Sequence, residues 1–195
     1  MYENTLIMFT SDNGPSYAGG ADSDFFDSAK PYRSDRGWGK GSLREGGVKV
    51  PLIASWPERI TSRTTTNHIS SSQDIFPTLC DLGGIEYIRE SVDGISFLPT
   101  LLAKNKQKEH KHLYWEFPES GGQQAVRMGN MKVYVDSIHH GKYNIRLYDL
   151  ETDPLEETDI ADIHTEVVSE MKSILIREHK KSFNPRWQFE VLDGR

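Results

Sequence analysis

Short apolar runs separated by long polar stretches set the reading of this chain, and the runs differ in kind between its two halves. Leu6 to Phe9 is a continuous apolar run that ends in Thr-Ser-Asp-Asn-Gly-Pro, a cluster of turn formers. That pattern predicts a buried strand delivering side chains at its C-terminal end. In open α/β sheets that end is where ligands bind. A buried parallel strand needs neighbours and covering helices, so the chain reads as if something upstream were missing. Residues 14–47, rich in Gly, Ser, Asp and aromatics, keep no period of 3.6 or 2. An aperiodic stretch of that length is usually a functional loop or disordered. Val48 to Trp56 returns to strand character, with Pro51 limiting it to an edge or a strand start. Ser71 to Leu82 predicts a helix capped by Ser72, with Asp74 in its first turn, Pro77 tolerated near its start and Gly83-Gly84 as its stop. Its apolar face is Ile75, Leu79 and Leu82. Ile95 to Leu102 is long enough for a helical turn or two.

The second half changes texture. Leu113 to Phe117, Ala125 to Met128, Met131 to Val135 and Ile145 to Leu150 are short strand candidates, with Gly129-Asn130 a tight turn between two of them. His139-His140-Gly141 marks a further turn. His164 to Lys180 has helical period, with Val167, Met171, Ile174 and Leu175 on one face, Thr165 as a cap, and Lys180-Lys181 suited to the C-terminal dipole. Four strands and one helix imply a small antiparallel sheet packed by that helix. No internal repeat is present.

Composition narrows the class. Apolar residues make up 36% of the 195, and with the 16 Gly the fraction is close to the globular norm of about 45–50%, so a packed core is expected. The formal net charge is -6 with no long basic run, which argues against a nucleic-acid partner. The cluster Lys104, Lys106, Lys108, Lys111 is mixed with His and Glu and reads as a solvated loop or a frayed helix end. Cys80 is the single cysteine, so neither an internal disulfide nor a thiolate zinc site is available, and its apolar setting makes it a buried structural thiol. No segment reaches the roughly 18 apolar residues of a membrane span, and Met1 to Asn4 shows no signal-peptide pattern.

Two places carry chemistry. Asp12 and Asn13 offer hard oxygen donors at the presumed end of a strand, which suits calcium or magnesium rather than a soft metal; Asp-Asn-Gly-Pro is also a turn in its own right. Glycines at 37, 39 and 41 flank Trp38 and Lys40, and Gly46-Gly47 follow Glu45. Such spacing lets backbone approach an anion while one Lys supplies a point charge, although an ordinary glycine-rich loop has the same look. It is neither a Walker A loop nor a dinucleotide fingerprint.

Together these segments resemble a known family. Thr10-Ser11-Asp12-Asn13-Gly14-Pro15, then Gly39-Lys40-Gly41-Ser42-Leu43-Arg44-Glu45-Gly46-Gly47-Val48-Lys49-Val50-Pro51 and Trp56-Pro57, are similar to the C-terminal half of the formylglycine-dependent sulfatases. Ser72 to Leu79, Asp93-Gly94-Ile95-Ser96, Leu113 to Phe117, Ala125 to Gly129, Leu147 to Leu150 and Asp153-Pro154 with Glu156 continue the likeness, which covers nearly the whole chain. The resemblance implies an α/β fold: the C-terminal part of an alkaline-phosphatase-like sandwich over 1–108, then an antiparallel-sheet and helix subdomain over 109–195. It implies that Asp12 and Asn13 bind Ca2+, and that Lys40 binds the sulfate and stabilises charge on the ester oxygen as the S–O bond breaks. Arg44 and Glu45 are expected to organise the loop, pairing with each other or with neighbours.

The family's nucleophile, a formylglycine made from Cys or Ser in Cys/Ser-x-Pro-x-Arg, belongs upstream of these motifs. Cys80 does not fit it. Ser55-Trp56-Pro57-Glu58-Arg59 fits formally but lies downstream, whereas the nucleophile should open a helix facing the anion. The expected partners are therefore the missing N-terminal half of the enzyme and a sulfated small molecule or glycan, with the chain inactive alone. The family-level compartment is periplasmic, exported or lysosomal. Two alternatives remain open on the residues. One is a phosphomonoester or phosphonate hydrolase of the same superfamily. The other is a non-catalytic glycan-binding remnant, in which His110, His112, His139, His140 and Trp115 would touch sugar. In a whole enzyme, Glu116 or Gln123 is a candidate sugar contact.

Overall fold

A computed structural model describes residues 1–194. The chain forms two compact units, Met1–Asp12 with Pro51–Lys111, and Asn13–Val50 with His112–Arg195.

In the first unit the Leu6 to Phe9 run yields strand β1, Ile7–Thr10, and the segment after Pro51 yields β2, Leu52–Ser55. They pair antiparallel, with Phe9 opposite Ile53 and Ile7 opposite Ser55. The strand lies where the pattern puts it, but it is not buried: Phe9 is 63% and Ile53 59% exposed. An apolar run specifies a strand; burial needs something to cover it, and here β2 supplies one edge only. The helix follows as Ile75–Gly83, entered through a short 3-10 turn at Ser72–Asp74 and stopped at Gly84 in the left-handed region (φ 65°).

The cap of that 3-10 entry is Ser71 rather than Ser72. The Ser71 side chain and Asp74 form a reciprocal box, in which the Ser71 N–H donates to Asp74 Oδ2 at 2.7 Å. The buried residues are Asp74, Pro77, Thr78 and Cys80, while Leu79 of the expected face is exposed. The face is polar because Asp74 is the hub of the unit. Its Oδ1 also accepts the Ile95 N–H at 2.7 Å and meets His110 Nε2 at 2.8 Å. Thr78 adds a bond to the Asp74 carbonyl and receives the Phe97 N–H at 2.9 Å. Burial alone would raise the Asp74 carboxyl; His110 and the Ser71 and Ile95 amides outweigh it and hold the group below the usual carboxylate range.

The second unit is built on one sheet in simple up-and-down order: β3 Leu113–Phe117, β4 Gln123–Met128, β5 Met131–Val135 and β6 Arg146–Asp149. The β4–β5 turn is Gly129-Asn130, with Gly129 at φ 57° and Met128 facing Met131. One face carries Val126, Val133, Val135 and Leu147, covered by Met171, Ile174 and Leu175 of the helix Thr165–Glu178 and by Phe189. The other face does not meet water, as one face of an antiparallel sheet commonly does. Ala125, Tyr134 and Tyr148 pack there against Leu43 and Val48 of the glycine-rich loop. The sheet is thus a middle layer between the helix and the loop that holds Lys40.

The segment after the helix is tied back by His179. Its Nδ1 meets Glu116 Oε2 at 2.7 Å, its Nε2 meets Asp193 Oδ1 at 3.1 Å, and its ring stacks on Phe189. Glu116 also accepts from Tyr114 Oη and from Gln124 Nε2. Burial would lower the imidazole, but the two carboxylates raise it above its ordinary value. A raised folded value means the stabilisation is complete below the unfolded His value of about 6.5 and fades as pH rises through the folded one. The thermal midpoint of this unit is expected to fall with pH across that window. His179→Gln should flatten the slope, as a melting series against pH will register.

Candidate active-site loop

The loop that holds Lys40 is fixed by backbone packed on backbone. The Gly14 N–H donates to the Gly47 carbonyl at 2.9 Å and the Lys40 N–H to the Pro15 carbonyl at 2.8 Å. A Cβ at Gly14 would lie 1.8 Å from the Gly46 oxygen, one at Gly39 2.3 Å from the Pro15 oxygen, and one at Gly46 1.6 Å from the Arg33 oxygen. These glycines therefore let two chain segments touch each other. The result is that Asn13 and Lys40 share one frame. Asn13 is half-buried and its Nδ2 donates to the Gly14 carbonyl at 2.9 Å, while Lys40 is exposed. Asp12 is exposed and follows β1 in the other unit, consecutive with Asn13 along the chain.

Side chains then anchor this frame to the sheet. Glu45 opens the single helical turn Glu45–Val48 and is buried. Lys132, at 0% exposure, lies 2.8 Å from Glu45 and 3.2 Å from Glu156, and Arg127 lies 3.6 Å from Glu45. The Glu45 N–H donates to Glu156 Oε2 at 2.7 Å. Burial would raise the Glu45 carboxyl; Lys132, by charge and hydrogen bond, and Arg127 outweigh that and lower it. Arg44 lies over Trp38 at 4.0 Å and over Tyr134 at 4.5 Å, and Arg33 stacks on Trp38 at 3.8 Å. Arg44 and Glu45 thus organise the loop through other partners rather than with each other. The strand residues that do this, Lys132 and Gln123, were not legible as such. A signal existed: a two-residue turn at Gly129-Asn130 sets Arg127 opposite Lys132, and like charges in direct cross-strand register call for an anion between them.

Of the expected sugar contacts, His140 is exposed, and the others have partners within the chain. Gln123 is buried and bonds Gly41, Leu43 and Tyr134. Glu116 serves His179, His110 serves Asp74, His112 faces Glu178, and His139 meets the Pro118 carbonyl at 2.7 Å. Trp115 packs beside Leu43 and Tyr134. Ser55 sits at the end of β2, opposite Ile7, and opens no helix. Among the described residues no group of three or more His, Cys, Asp or Glu side chains is placed to hold a metal ion, and no helix is long and apolar enough to cross a membrane.

Residues 35–181, which include Lys40 and the four-stranded sheet, match the family described as N-sulphoglucosamine sulphohydrolase, C-terminal. The chain belongs to the sulfatase family. Human arylsulfatase A is similar to this sulfatase chain at 30% identity over 187 residues, covering 82% of the chain and 34% of the relative. The N-acetylgalactosamine-6-O-sulfatase of Bacteroides thetaiotaomicron is 30% identical over 190 residues, covering 89% and 36%. A solved Bacteroides thetaiotaomicron protein, described under metabolism of multiple glycosaminoglycans, superposes with a TM-score of 0.69 at 26% identity, over 89% of this chain and 38% of that one. The sulfatase chain thus spans about a third of the length of these relatives, and the mixed α/β class expected from the sequence holds.

Proposed function

We propose that this chain is the C-terminal part of a hydrolase of sulfate esters, acting on a sulfated carbohydrate or an aryl sulfate. The observation that carries the reading is the shared frame of Asn13 and Lys40, locked by the Lys40 and Gly14 amides within a chain of sulfatase ancestry. Relatives are named for N-acetylgalactosamine 6-O-sulfate, choline sulfate and aryl sulfates, so the esterified alcohol varies while the sulfate is common. In this reading the Lys40 ammonium binds the sulfate oxygens and stabilises charge that develops on the departing ester oxygen. A positioned cation does this with little reorganisation at the moment of reaction.

Asp12 and Asn13 would hold Ca2+, a carboxylate and an amide oxygen being the hard donors that ion takes. They fit in kind and supply two of about six to eight oxygens, so the remainder would come from elsewhere in the enzyme. Bound calcium would add positive charge beside the sulfate. The nucleophile, a formylglycine in the family, would also lie outside these 195 residues.

Hydrolysis of an aryl sulfate tests the reading. The 195-residue chain alone is expected to give no turnover. In the full gene product, Lys40→Ala should lower kcat by about 10²–10³, the range for loss of one charge-stabilising donor. Turnover by the isolated chain, or a Lys40→Ala enzyme at full rate, would sink it.

A further inference from the structure

We infer that Gln123 is a positioning residue for the proposed sulfate site: it never reaches the anion, but fixes the backbone on the C-terminal side of Lys40, at Gly41 and Leu43. This deepens the reading above and rests on it. Gln123 is the first residue of β4 and only 4% exposed. Its Nε2 donates to the Gly41 carbonyl at 2.9 Å, and its Oε1 accepts the Leu43 N–H at 3.0 Å. The side-chain amide therefore pairs with the loop as a strand backbone would, one donor and one acceptor across residues 41 and 43. Tyr134 Oη donates to the same Oε1 at 2.9 Å.

The consequence for Lys40 follows from where these bonds fall. On its N-terminal side the Lys40 amide is held by Pro15, two residues from Asn13; on its C-terminal side Gly41 is held by Gln123. Gly41 sits at φ +87°, in the left-handed region where glycine is least constrained. Without the clamp, the residue that directs the ammonium would be joined to the sheet through the most pliable backbone position in the turn. With it, Lys40 is suspended between two fixed points. A charge-stabilising group is effective only when held in the productive geometry by its supporting residues.

The test uses the 195-residue chain, with amide hydrogen exchange and sodium sulfate titration followed by NMR. Gln123→Met keeps the volume and removes all three bonds. Gln123→Ala is the second variant should the thioether repack. Tyr134→Phe removes the third bond and leaves the two to the loop. Expected is a rise of about tenfold or more in exchange at Lys40 and Leu43 in the Gln123 variants, with amides of the β4–β5 ladder unchanged. The sulfate response at Lys40 should weaken by a similar factor, and Tyr134→Phe should do neither. Unchanged loop exchange overturns the proposal, as does loss of protection by loop and sheet together in both Gln123 variants. So does unweakened sulfate binding in a chain where Lys40→Ala abolishes it. No sulfate response at all, or one that survives Lys40→Ala, overturns the Lys40 reading itself.

Discussion

Replacing Lys132 by Met is expected to cost about 3–5 kcal/mol of stability in the sheet unit, the range for breaking a buried ion pair from one side. The substitution is nearly isosteric, so packing is not the cause. Glu45 and Glu156 are 2% and 3% exposed, and each would lose the ammonium now 2.8 Å and 3.2 Å away. Arg127, at 3.6 Å from Glu45, the charge of Lys49 and the Glu45 amide would remain to compensate in part. Urea denaturation at neutral pH measures the loss. The pH dependence gives a sharper signature. In the native chain Glu45 is held below the ordinary carboxylate range, so its contribution is present above the unfolded value of about 4.3 and is lost as pH falls through the folded one. In the Lys132→Met chain burial is opposed by far less, and protonation should relieve it. Stability should then rise on mild acidification. A parallel loss in both proteins as pH falls would refute this account.

The second large effect is expected at Asp74. Asp74→Ala should remove about 2–4 kcal/mol from the first unit, summing a lost helix cap of about 1 kcal/mol with buried donors left unpaired at about 1–3 kcal/mol. The donors are the amides of Ser71 and Ile95 and the ring of His110. Because the folded carboxyl titrates below its unfolded value of about 3.9, the native contribution is present above that value and lost as pH falls through the folded one. Hydrogen exchange at Ile95 and Phe97 should accelerate in the variant. Asp74→Asn, which can still accept bonds, should recover part of the loss; equal damage by both would mean that charge, rather than acceptance, is what the site needs.

The sequence disclosed what is local. β3 and β5 fall on the ranges set by their apolar and aromatic runs, β5 buried between β4 and β6 and β3 paired along its length with β4. The Gly129-Asn130 turn and the helix Thr165–Glu178 were likewise written in a few adjacent residues. What was not legible is joined across distance. Lys132 stands in a strand where alternation would turn a lysine to solvent, yet it is fully buried because Glu45, 87 positions earlier, comes to meet it. Gln123 read as a sugar contact for the same reason: its partners lie about eighty positions away. The helix Ile75–Gly83 was found, but its buried face was misassigned, since a polar hub at Asp74 is invisible to a periodicity of apolar residues. The candidate residues Asn13 and Lys40 were found through motif spacing. The frame that unites them came only from the close passage of Gly14, Gly39, Gly46 and Gly47.

That seam of glycines constrains any redesign of the loop that holds Lys40. A single methyl at position 14, 39 or 46 would overlap a main-chain oxygen, so a mutant library that includes those sites will yield mostly chains whose loop cannot close. Diversity is better introduced at Tyr17, Phe25 and Phe26, whose side chains stand open to solvent on the same long loop, where new shapes can be sampled without prying the two strands of backbone apart.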